Sequence, residues 1–69
     1  MGFSYKSLWK LLIDKGISKE QLRKQIGISS STMAKMTNGE YVAMEVLDRI
    51  CKHLNCQLSD VVEHVQNEE

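Results

Sequence analysis

Ser18-Lys19-Glu20-Gln21-Leu22-Arg23-Lys24-Gln25-Ile26-Gly27-Ile28-Ser29-Ser30-Ser31-Thr32-Met33-Ala34-Lys35-Met36-Thr37-Asn38-Gly39 decides the fold. Ser18 with Gln21 three residues on is a capping-box pattern, which opens a helix by satisfying free backbone N–H groups reciprocally. Leu22 and Ile26 follow at i, i+4 as its buried pair. Gly27 stops that helix, because glycine takes left-handed backbone without strain. A second helix opens at Ser29 and ends before Gly39, with Met33 and Met36 inward. Its outward face carries Ser30, Ser31 and Thr32, then Lys35 one turn further along.

Outward from this pair, a first helix is predicted from about Tyr5 to Lys15, capped by Ser4. Leu8, Trp9, Leu12 and Ile13 form its apolar stripe, and Lys6 and Lys10 stand off it. Glu40-Tyr41-Val42-Ala43 reads as a connecting loop, in which Tyr41 or Val42 could pair briefly. A fourth helix runs from about Met44 to Leu54, with Val46, Leu47, Ile50, Cys51 and Leu54 inward and Asn55 as a left-handed cap. A fifth covers roughly Leu58 to Val65, and residues 66–69 are expected to fray. No segment alternates with period two over a useful length, so no strand is expected. The expected fold is all-α: one compact five-helix domain over residues 1–69, with a helix-turn-helix motif at about 18–38.

A chain of 69 residues buries a thin core, so its helices must pack well or find a partner. Cys51 and Cys56 follow no secretory leader and read as reduced cytosolic thiols. The longest apolar stretch, Leu11-Leu12-Ile13, is too short to span a membrane. Net charge is zero, but it is unevenly placed. Residues 1–39 hold seven cationic side chains against two acidic ones, and residues 40–69 hold the reverse. A basic end can meet phosphate while an acidic end keeps the chain in solution. Cys51, His53, Cys56 and His64 invite a zinc reading, yet Cys51 and His53 lie two apart on a helix and point to different faces. Their spacing matches no familiar site. No glycine-rich phosphate loop and no paired carboxylates in an evident cleft are present. Neither metal, cofactor, small-molecule ligand nor enzymatic activity is expected.

A short helix with small side chains near its start, held out from a core by a neighbour, fits the DNA major groove. The order of these pieces resembles the Cro/C1-type helix-turn-helix family over about residues 5–65. The resemblance rests on Ser18 to Ile26, on Gly27-Ile28-Ser29, on Met33 to Glu40, and on Val46 to Cys56 followed by a terminal helix. It implies a compact five-helix domain that reads operator DNA, usually as a two-fold dimer. Carried over by position, Ser30, Ser31 and Lys35 fall where family members touch base edges. Lys19 falls at a usual phosphate contact, and Thr37 and Asn38 lie near a second. Lys10 joins this phosphate set, although Lys6, Lys10 and Lys24 read equally well as a solvated face. Tyr5 reads as a packing residue that could instead bond a phosphate. Two positions depart from the family pattern. Arg23 replaces a small residue packed against the recognition helix, so its guanidinium must escape to solvent. Lys19 replaces the more usual glutamine, so its orientation should be looser.

Val61, Val62 and Val65 cannot all point inward from so short a terminal helix, and they are assigned to a dimer interface. The resulting expectation is a sequence-specific, DNA-binding transcriptional regulator of the bacterial cytoplasm, dimeric on a palindromic operator. RNA polymerase is a second candidate partner, through the acidic half. The alternative is a module of the same fold that has lost DNA binding and acts on protein, as an anti-repressor or an antitoxin-like partner would.

Overall fold

The computed structural model describes residues 2–65. The order along the chain is β1 (Phe3–Ser4), α1 (Lys6–Lys15), α2 (Lys19–Ile26), α3 (Ser30–Thr37), α4 (Met44–Leu54), a single 3-10 turn (Leu58–Asp60) and β2 (Glu63–His64). Residues 66–69, expected to fray, lie outside the described residues.

The helix boundaries follow from local chemistry. At α2, Ser18 Oγ accepts from the Gln21 N–H (3.1 Å) and Gln21 Oε1 accepts from the Ser18 N–H (2.9 Å), completing the capping box. At α3, Ser29 Oγ accepts from the Thr32 N–H (3.2 Å). Helix α1 starts one residue later than its sequence suggests. Tyr5 occupies the cap position, and Ser4 Oγ instead accepts from the Lys6 N–H (3.3 Å). Gly27 ends α2 with φ 73°, and Asn55 ends α4 with φ 53°.

The fifth helix is not formed. Gln57 and Asp60 close one 3-10 turn, with the Gln57 N–H donating to Asp60 Oδ2 (3.0 Å). The chain then straightens into β2, which pairs antiparallel with β1 in the register Phe3 with His64 and Ser4 with Glu63. The Val65 N–H adds a bond to the Gly2 carbonyl (2.7 Å). Val61 still closes the 3-10 turn with a helical backbone (φ −106°, ψ −47°), but the branched side chains of Val62 and Val65, on either side of β2, disfavour helix and suit extended backbone once a partner strand is at hand. That partner comes from the opposite end of the chain, and two-residue strands leave no alternating pattern to read.

Leu8 and Leu12 of α1, Leu22 of α2, Ile28, Met33 and Met36 around α3, and Leu47, Ile50 and Leu54 of α4 converge on one core, joined by Tyr5 and Val61. Leu11 and Trp9 flank it, but Ile13 is 76% exposed and does not belong to the buried stripe. With 3.6 residues per turn, the face centred on Leu8 and Leu12 takes in Leu11 and leaves Ile13 outside. Tyr5 is a packing residue. Its hydroxyl donates to the Glu40 carbonyl (2.8 Å), tying the start of α1 to the loop after α3, and burial raises its pKa.

Candidate nucleic-acid interface

Helix α3 is anchored from beneath by Met33 and Met36 and leaves Ser30, Ser31, Ala34, Lys35 and Thr37 exposed. Ser31, Ala34 and Lys35 recur at helical spacing and form one outward strip, with low relief at its start and a cation further along. Ser29 Oγ lies 3.0 Å from Ser31 Oγ and 2.9 Å from Thr32 Oγ1. A hydroxyl offers one donor and two acceptor sites, so Ser31 keeps hydrogen-bonding capacity for a partner outside the helix.

Beside the far end of α3, Lys19 is held rather than loose. Its Nζ sits 4.0 Å from the centroid of the Trp9 ring and 3.5 Å from Thr37 Oγ1. Three elements thus converge there: Trp9 from α1, Lys19 from the start of α2 and Thr37 from the end of α3. The aromatic face attracts the ammonium electrostatically, and this contact fixes the orientation that a lysine would otherwise lack. Trp9, read from sequence as packing, is therefore also a support for Lys19; its helical spacing is the same in either role. Thr37 and Asn38 line an open cleft of about 530 Å³ between the start of α1 and the end of α3, together with Lys6 and Trp9. Lys10 is exposed one turn beyond Lys6 and lies on the same side of α1.

Arg23 does not escape to solvent. Its Nη1 donates to the Ile28 carbonyl (3.3 Å), and its Nε donates to Glu20 Oε1 (3.0 Å). From α4, Arg49 Nη1 donates to the carbonyls of Ile26 (3.3 Å) and Gly27 (3.5 Å), while its Nη2 donates to Glu45 Oε2 (3.0 Å). The Arg49 contacts have no signal in sequence spacing, since Arg49 lies 23 residues beyond Ile26, whereas Glu20 and Arg23 stand three apart on one helix.

The apolar C-terminal residues separate. Val61 is fully buried in the core and cannot serve as a surface contact in this fold. Val62 is half-buried and Val65 is 39% exposed. Val62 instead lines an apolar groove of about 220 Å³ with Phe3, Tyr41, Met44 and Leu58. Phe3 packs edge-on against both Tyr41 (5.5 Å) and His64 (5.6 Å).

The four residues of the zinc reading do not converge. His53 Nε2 lies 2.6 Å from Gln25 Oε1, and His64 packs on Phe3. Cys51 and Cys56 are free thiols, and burial, reinforced by Cys51, pushes the Cys56 thiol up. Among the described residues, no three His, Cys, Asp or Glu side chains are grouped to hold a metal ion. No helix among them is long and apolar enough to cross a membrane.

Residues 7–67 match a family model described as a Cro/C1-type HTH DNA-binding domain. The chain is also similar to a crystallised transcriptional regulator, VanUg (crystal form II). The identity is 44% and the TM-score 0.93, covering 96% of this chain and 88% of that one. No curated protein sequence matches it.

Proposed function

The chain belongs to the Cro/C1-type helix-turn-helix DNA-binding family, and on that footing we propose that it is a sequence-specific transcriptional regulator whose α3 enters the major groove. Ser30, Ser31 and Lys35 meet base edges. Lys19, Thr37, Asn38 and Lys10 hold the phosphate backbone. The observation that carries this reading is the joint placement of two features. The hydroxyl-and-lysine strip of α3 faces outward, and the Lys19–Thr37 contact stands beside the same helix at its other end.

Single hydroxyls discriminate bases weakly, so specificity draws on two symmetric half-sites and on DNA shape. The dimer surface is the apolar groove, with Val62 retained from the sequence assignment and Phe3, Tyr41, Met44 and Leu58 added; Val65, which lines the cleft beside Thr37 and Asn38, is not part of it. The protein works in the bacterial cytoplasm, by occupying its operator or by presenting its acidic half to RNA polymerase.

The test is binding to a random-sequence duplex library and to the duplexes selected from it, across a salt series. With Lys19 and Lys10 anchoring each of two protomers, the log–log salt slope should be about −4. Lys35→Ala should weaken binding to the selected duplex by about 1–3 kcal/mol and relax preference at one base position. Unchanged binding would refute the assignment of the recognition face. No duplex binding at any salt would overturn the reading in favour of a protein-interaction module.

A further inference from the structure

The turn between α2 and α3 covers Gly27, Ile28 and Ser29; Ile28 is buried in the core, and the N–H groups of Gly27 and Ile28 both donate to the Arg23 carbonyl (3.0 and 3.2 Å). A Cβ placed on Gly27 would meet nothing within 4 Å. The helix beyond it is short and sits on Met33 and Met36, whose unbranched thioether side chains adapt to irregular space. Apolar contacts of this kind bury area without dictating one angle.

Three successive carbonyls, from the last residue of α2 into that turn, each accept a guanidinium N–H. Arg49 of α4 donates to Ile26 and Gly27, and Arg23 of α2 donates to Ile28. Both arginines are oriented in turn by a carboxylate on their own helix. Glu20 engages Arg23 through two hydrogen bonds, and Glu45 engages Arg49 through one. Carbonyls past a helix C-terminus lack intrahelical partners and carry the negative end of the helix dipole, so a cation suits them. A guanidinium is a planar fork that can bond a carboxylate and a carbonyl at once, which an ammonium point charge does not do with fixed geometry. Exposed ion pairs of this type contribute little to global stability. Their effect is on geometry.

We propose that Arg23 and Arg49 are positioning residues that clamp the α2–α3 turn and so set the angle at which α3 is presented to DNA. This rests on the DNA-binding reading above for its functional consequence, though not for the clamp itself. It explains why a large cation replaces a small residue at position 23. Arg23 and Arg49, each occupied by a carboxylate and a carbonyl, are not phosphate ligands.

The test uses Arg23→Met and Arg49→Met, singly and together, which retain much of the apolar stem. Each is measured against a duplex that the wild type has selected from a random library, and against a scrambled duplex of the same composition. The double variant should lose about tenfold or more in affinity for the selected duplex while staying within about twofold on the scrambled one, and its two losses should be non-additive. Equal losses on both duplexes would make these arginines phosphate contacts, and no loss on the selected duplex would remove their role; either overturns the proposal. Arg23→Lys with Arg49→Lys keeps the charge and the fold, and should still lose discrimination; restoration by lysine overturns the proposal. Residual dipolar couplings of the DNA-free protein report the α2–α3 angle directly. The angle should shift or broaden in the methionine pair, and an unchanged angle overturns the clamp even if the wild type binds no duplex.

Discussion

Val61→Ala distinguishes a core residue from an interface residue. Val61 is fully buried in the cluster formed by the α1, α3 and α4 side chains. The substitution removes two buried methyl groups at about 0.8 kcal/mol each, or about 1.6 kcal/mol from transfer alone. Incomplete collapse around the vacated space brings the total to about 2–2.5 kcal/mol. A small domain has a total stability on the order of 5 kcal/mol, so this is a large fraction of it. At about 4–8 °C per kcal/mol for a domain of this size, the thermal midpoint should fall by on the order of 10 °C. The assay is urea and thermal unfolding followed by circular dichroism at two protein concentrations tenfold apart, with Val65→Ala alongside. Val65 is already 39% exposed, and its substitution should cost no more than about 0.5 kcal/mol. The Val61 loss should be the same at both concentrations, with an unchanged dependence on urea. A Val61→Ala effect no larger than that of Val65→Ala, or one that disappears on dilution, would refute this account of the C-terminal segment.

Tyr5→Phe removes the hydroxyl that donates to the Glu40 carbonyl without opening a cavity. It should cost about 1–2 kcal/mol, and an unchanged melting midpoint would show that this tie contributes nothing. Trp9→Leu withdraws the ring beneath Lys19, and a double-mutant cycle with Lys19→Met should give a coupling of about 0.5–1 kcal/mol in stability; zero coupling would refute the cation–π support. The Arg23 hydrogen bond, with smaller help from the charges of Arg23 and Lys24, holds the Glu20 carboxyl below its ordinary value. Its folded-state pKa is depressed, so its stabilisation is complete at neutral pH and is lost as pH falls through that depressed value. The melting difference between wild type and Glu20→Gln should therefore shrink below the ordinary glutamate range, and a difference that persists into stronger acid would exclude Glu20 as its source.

Much of the candidate site was legible because it is local. Ser18 and Ser29 announce the starts of α2 and α3 within four residues, and Gly27 and Asn55 announce ends by backbone freedom. The outward strip of Ser30, Ser31 and Lys35 follows from helical spacing once Met33 and Met36 point inward. The contacts that hold this strip in place were not legible. Lys19 meets Thr37 across 18 residues, and Arg49 meets Ile26 across 23. No periodicity encodes either pairing.

Capping chemistry and apolar spacing within each segment by themselves determined four helices, the turn between α2 and α3 and the outward face of α3, because these depend on neighbours a few residues away. Tertiary structure alone decided that Glu63–His64 become a strand, that Val61 is core and that the Arg23 guanidinium turns to the Ile28 carbonyl. The first two depend on distant parts of the chain, Phe3–Ser4 for β2 and the α1, α3 and α4 side chains for Val61; Ile28 is only five residues from Arg23, but its carbonyl is placed as an acceptor only once the chain has turned at Gly27. Extended backbone needs a neighbouring strand to satisfy its N–H and C=O groups, and a half-buried guanidinium needs an acceptor. Both needs are met only after the helices have packed.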